Sequence, residues 1–90
     1  MLEKLKNYLR VTWDDENEDL DQILKRGKDY LNEIAGVELD FEKDSLAIQL
    51  LLDFGRYVYN NSFELFEANF ESQLLRLSLR EGLKEHAENE

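Results

Sequence analysis

The sequence has no cysteine and no proline, one histidine, one tryptophan and four glycines (Gly27, Gly36, Gly55, Gly82). Without cysteine there is no disulfide framework, no thiolate metal site and no cysteine nucleophile. Without proline, and with isolated glycines, few positions oblige the chain to break, and no glycine-rich phosphate loop is present. Positive charge is also scarce: 11 Lys and Arg against 21 Asp and Glu give a net charge of -10. Duplex DNA and RNA binders draw much of their affinity from cations that displace phosphate counterions, so this balance argues against direct, tight nucleic-acid binding. It suits a surface past which DNA slides without sticking. No uncharged apolar run is longer than that of Leu50 to Leu52, far too short to span a bilayer. The opening Met1-Leu2-Glu3-Lys4-Leu5-Lys6 is amphipathic and lacks the apolar stretch of a secretion signal, so synthesis and residence in the cytoplasm are expected.

What remains is a 90-residue chain with 42% hydrophobic and 36% charged residues, which suits one small folded domain over residues 1–90. A core of this size sits near the limit of independent stability, leaving little material for a substrate pocket. The pattern predicts an all-α, four-helix bundle-like domain, with helices over about 2–10, 16–35, 44–60 and 63–86.

Leu2, Leu5 and Leu9 line one side of the first helix, with Tyr8 beside them. Val11, Thr12 and Trp13 interrupt it, and Asp14 or Asp15 is placed to cap the second. That helix has the clearest period: Leu20, Ile23, Leu24, Gly27, Tyr30, Leu31 and Ile34 share a face, Asp21 and Asp29 each lie four residues from Lys25, and Gly36 stands at the left-handed cap position. Gly27 reads either as a site of close helix contact or as a tolerated weak helix former. Val37 to Glu42 alternates apolar and acidic residues; lacking a partner strand, it is expected to be a loop tucking Val37, Leu39 and Phe41 against the core, with Asp44 or Ser45 opening the third helix. That helix is apolar nearly all round in its first half and should be the buried centre of the bundle. Ser62 is expected to cap the fourth, where Phe63, Phe66, Phe70, Leu74 and Leu77 form a stripe that Leu75, Leu79 and Leu83 widen. The polar tail 84–90 is expected to fray, or to order against a partner.

Little in the chain points to catalysis, a cofactor or a metal. His86, in the polar tail, reads as a solvated surface residue, and no triad is visible. Asp14 to Asp21 holds six carboxylates in eight residues, but the glycine and closing glutamate of a calcium loop are missing: from Asp14 those positions fall on Asp19 and Lys25. The cluster reads as acidic residues at a positive helix N-terminus, with an acidic face toward DNA or a basic partner as a compatible role. Asp53, between Leu52 and Phe54, is expected to pair with Arg56 or Tyr57. Tyr57, Tyr59, Phe63, Phe66 and Phe70 form an aromatic corner, read as core packing with a subunit interface as the rival.

The succession Leu9-Arg10-Val11, Trp13-Asp14-Asp15-Glu16-Asn17-Glu18-Asp19-Leu20 and Lys28-Asp29-Tyr30-Leu31-Asn32-Glu33-Ile34-Ala35-Gly36 resembles the opening of the small head-tail connector proteins of tailed bacteriophages, also called adaptor or DNA-packaging proteins. Leu50-Leu51-Leu52-Asp53-Phe54-Gly55-Arg56-Tyr57-Val58-Tyr59-Asn60-Asn61-Ser62, then Phe66-Glu67-Ala68-Asn69-Phe70 and Leu74 to Leu79, is similar to versions from phages and prophages of Gram-positive bacteria. The resemblance runs along the whole chain and consists of a helical pattern with a few polar marks. It implies a non-enzymatic virion protein that forms a ring, usually dodecameric, beneath the portal, extends the DNA channel and offers a platform to a stopper or tail-joining protein. It further implies residence at the head-tail junction after assembly and portal docking through the C-terminal helical region, here Leu79, Leu83 and Lys84.

A ring closes when one patch meets a different patch on the next subunit. The expected pair is the acidic second helix with Asp14, Asp15 and Glu18 against an arginine-bearing face with Arg56, Arg76 and Arg80, the aromatic corner adjoining. Another class with the same composition is a small acidic interaction module or prophage regulator, distinguished by a small complex of low stoichiometry.

Overall fold

With no proline to interrupt it, the chain is helical over most of its length. The computed structural model describes the backbone of residues 1–88 and the side chains of residues 1–83. Helices α1 (Leu2–Leu9), α2 (Asn17–Ala35) and α3 (Ser45–Tyr59) are followed by a 3-10 turn (Phe63–Leu65), the short α4 (Phe66–Asn69) and the long α5 (Glu71–Glu88). No strand occurs among the described residues. The fold is an all-α bundle, as the periodicity predicts, and its extents are 50 × 25 × 17 Å.

Local chemistry explains the ends of the first three helices. At the end of α1, Arg10 takes a left-handed conformation (φ 62°). Its N–H bonds to the Asn7 carbonyl and that of Val11 to the Lys6 carbonyl, a double closure that also buries Val11. Gly36 (φ 76°) closes α2 with its N–H on the Asn32 carbonyl at 2.8 Å. Asp44 caps α3, its carboxylate accepting from the Ala47 N–H at 3.2 Å.

Leu20, Leu24, Gly27, Leu31 and Ala35 turn inward from α2, and Ala47, Leu50, Leu51 and Phe54 are buried on α3. Both glycine contacts are tight. A Cβ on Gly27 would stand 2.6 Å from Leu51 Cδ1 and 2.7 Å from Phe54 Cδ1, and one on Gly55 would stand 2.7 Å from Leu5 Cδ1. Glycine therefore sets how closely α2 and α1 lie on α3. Of the two readings of Gly27, the structure takes close contact. Helix α3 touches every other element and is the centre of the bundle. Phe66, Leu5, Leu20, Leu31, Leu50, Leu51 and Leu77 are fully buried, each contributing about 1.5–3 kcal/mol of transfer free energy.

The expected single helix over 63–86 instead opens as a 3-10 turn that runs into α4, and it is broken once. Phe70 departs from helical geometry (φ -115°, ψ 19°), separating α4 from α5. The cause is an aromatic cluster. Phe63 and Phe66 stack at 6.0 Å, Phe66 and Phe70 at 5.1 Å, and these rings meet Tyr30, Phe54 and Tyr57 edge-on at 5.3 to 6.1 Å. Keeping three rings on one cluster outweighs the continuity of the backbone hydrogen bonds.

Several side chains take partners other than those expected, or none. Neither Asp14 nor Asp15 caps α2: the cap position is Glu16, with no side-chain bond to the backbone, because Asp14 is drawn to Lys6 at 2.6 Å. Ser62 donates to the Asn60 carbonyl rather than capping the next turn. Asp21, Asp29 and Lys25 form no ion pair with one another among the described residues. In the 37–43 loop, Leu39 and Phe41 pack on the core, but Val37 is exposed because the turn is organised by Asp40, which accepts from the N–H groups of Glu42 and Lys43.

Candidate functional site

Helix α5 has two apolar faces. At ~100° per residue, Leu74, Leu77 and Glu81 lie on one side and Leu75, Leu79 and Leu83 on the other. The first set is buried; the second is 58%, 57% and 70% exposed. The three leucines do not widen the core stripe as expected, since they point away from it. Together with Ser72, Arg76 and Arg80 they line an outward, mainly apolar strip. Arg76 is exposed and makes no ion pair among the described residues, whereas Arg80 places Nη1 and Nη2 at 3.2 and 2.5 Å from the Asp44 carboxylate and also binds Glu81 at 2.8 Å. Burial opposes ionisation of Asp44, but hydrogen bonds from Arg80 and the helix N-terminus outweigh it and hold the carboxyl below its usual value.

Around the same helix lies a groove of about 580 Å³ between α2 and α5. Ile34 and Leu74 provide apolar walls, Tyr30 closes one side, and the carboxylates of Glu33, Glu67 and Glu71 line it. Tyr30 donates to Glu67 at 2.8 Å; burial first, and this bond second, push its phenol well above the ordinary tyrosine range.

Two polar clusters tie elements of the fold together. Asp53, 4% exposed, accepts from the Tyr8 hydroxyl, from Gln49 at 3.1 Å and from Arg56 at 3.4 Å. Arg56 also lies over the rings of Tyr57 (5.0 Å) and Tyr8 (5.8 Å). The expected Asp53–Arg56 pair is present. The tie that Tyr8 makes between α1 and α3 was not expected; its only sequence signal is a phenol beside the leucines of α1. Burial and the bond to Asp53 raise the Tyr8 hydroxyl above its usual value. In the second cluster, Glu16 accepts from Trp13 and Tyr59, both at 2.8 Å, which hold its carboxyl below the usual range.

These contacts sort the residues singled out from sequence. Phe66 is fully buried, and Tyr57, Tyr59, Phe63 and Phe70, partly buried, pack against the core. Asp14, Asp15 and Glu18 are exposed near the start of α2, Asp14 paired with Lys6, whose side chain is almost wholly buried. Arg56 and Arg80 are held by internal carboxylates. Arg76, Leu79 and Leu83 share the outward strip of α5. The side chains of Lys84 and His86 lie outside the described residues.

Among the described residues no group of three or more acidic or histidine side chains is arranged to hold a metal ion, and no helix is long and apolar enough to cross a membrane. Comparison with protein-family models, curated proteins and solved structures finds no match to this chain.

Proposed function

We propose that the chain is a non-enzymatic assembly subunit that works by docking to other proteins, and specifically a head-tail connector subunit of a tailed bacteriophage. The observation that carries the assembly reading is the outward strip of Leu75, Leu79 and Leu83, opposite the core face of the same helix and joined by Arg76, which forms no ion pair among the described residues. Exposed apolar surface set in a polar surround is characteristic of protein contacts. The connector reading adds the resemblance of residues 9–36 and 50–79 to that family. On this reading subunits form a ring beneath the portal, α5 contributes to portal docking, and a stopper or tail-joining protein binds the far side. A net charge of -10 keeps the DNA passing through the channel from adhering.

Light scattering with and without the portal ring of the same phage, followed by electron microscopy, tests this. A ring stacked coaxially on the portal is expected. Absence of any association across a wide range of concentration and salt would overturn the connector reading in favour of a small acidic interaction module of a prophage.

A further inference from the structure

The outward strip of α5 and the acidic groove between α2 and α5 are complementary in charge, and each carries apolar side chains. The strip presents three exposed leucines and the cation of Arg76, which is unpaired among the described residues. The groove offers Ile34 and Leu74 within a rim of Glu33, Glu67 and Glu71. Tyr30 engages Glu67, whereas Glu33 and Glu71 are exposed and form no ion pair among the described residues. The two patches share no residue. Leu74 lies ~100–140° around α5 from Leu75 and Leu79, so one molecule can engage through both at once.

We infer that the groove of one copy receives the α5 strip of a second copy, with Leu75 and Leu79 against Ile34 and Leu74, and Arg76 among the carboxylates of Glu33, Glu67 and Glu71. The alternative pairing of strip with strip leaves the groove rim without a cation. Because the joined patches differ, the contact is head-to-tail: it leaves a free strip at one end and a free groove at the other, and it grows until the rotation closes. This rests on the assembly reading above; it replaces the Asp14–Glu18 surface with the groove as the acidic partner, and it assigns Leu79 to the neighbouring copy instead of the portal.

Sedimentation velocity over a range of concentrations and salt tests it, using Leu79→Asp to disable the strip and the double variant Glu33→Lys, Glu71→Lys to disable the groove. All three positions are exposed, and circular dichroism verifies that both variants fold. Wild type is expected to self-associate, less so as salt rises. Each variant alone should be monomeric. An equimolar mixture of the two should form one-to-one dimers that grow no further, because only one interface is then intact. Arg76→Glu should weaken self-association ~100-fold or more. A monomeric wild type, either variant associating as wild type does, or a mixture that stays monomeric would each overturn the inference. Self-association without portal binding would remove the connector reading and leave this interface; portal binding by a monomeric wild type would do the reverse.

Discussion

Replacing Gly27 with alanine sets two effects of opposite sign against each other. Alanine is favoured over glycine within a helix by about 1 kcal/mol, through its propensity and the lower entropy of the unfolded chain. The added Cβ would meet Leu51 Cδ1 at 2.6 Å and Phe54 Cδ1 at 2.7 Å. Neither neighbour can retreat easily: Leu51 is fully buried, and the Phe54 ring is held by Tyr30, Phe63 and Phe66 at 5.3 to 5.8 Å. Overpacking of this kind costs about 1–3 kcal/mol, and the cage places this case at the upper end, for an expected net loss of about 1–2 kcal/mol. At Gly82 none of the described residues comes within 4 Å of an added Cβ, and Gly82→Ala should stabilise by about 0.5–1 kcal/mol. Both substitutions change the unfolded chain in the same way, so their difference isolates packing. Urea unfolding of the two variants measures it. A Gly27→Ala protein as stable as Gly82→Ala would refute the close α2–α3 approach.

Asp44→Ala removes the α3 cap and the partner of Arg80, and should cost about 1–3 kcal/mol by urea unfolding, with Asp44→Asn retaining part of the cap. Tyr8→Phe deprives the buried Asp53 of a donor and should cost about 1–3 kcal/mol, hydrogen exchange rising first in α1; unchanged exchange there would contradict the tie. Tyr8, Tyr30 and Tyr59 are raised from the ordinary value of 10.0, so their contribution is complete below that pH and is lost as pH climbs through the folded values. Asp14, Glu16 and Asp44 are lowered, so theirs is complete above the usual carboxylate range and is lost as pH falls through the depressed values. Thermal unfolding across pH should therefore give a plateau between these limits; a maximum outside it would contradict these assignments.

The three-four spacing of apolar residues in α2 and the apolar density of α3 made those helices and the central place of α3 legible in the sequence. Each of those signals is local and repeats over several turns. The break at Phe70 was hidden because it answers to rings on α2 and α3, which no local pattern reports. Lys6 and Tyr8 were hidden for a related reason: each is committed by a carboxylate brought to it by tertiary structure, Asp14 and Asp53. The outward leucines were legible in principle. Leu75, Leu79 and Leu83 recur every four residues, half a turn away from Leu77, and placing them on a helical wheel separates them from the core stripe. The groove was not legible, since Glu33, Glu67 and Glu71 are brought together only when α5 returns along α2.

The position of α3 in contact with every other element also bears on the order of folding. Neither α1, of eight residues, nor α4, of four, is long enough to persist alone in water. The α2–α3 pair joins the two long helices that are adjacent in the chain, closely packed through Gly27, so a short loop closure is rewarded there by the most extensive burial. The folding nucleus is therefore expected there, with α1 and α5 condensing onto it from opposite ends of the chain. In a chevron analysis, truncating Leu24 or Leu51 should slow folding, whereas truncating Leu5 or Leu77 should chiefly accelerate unfolding.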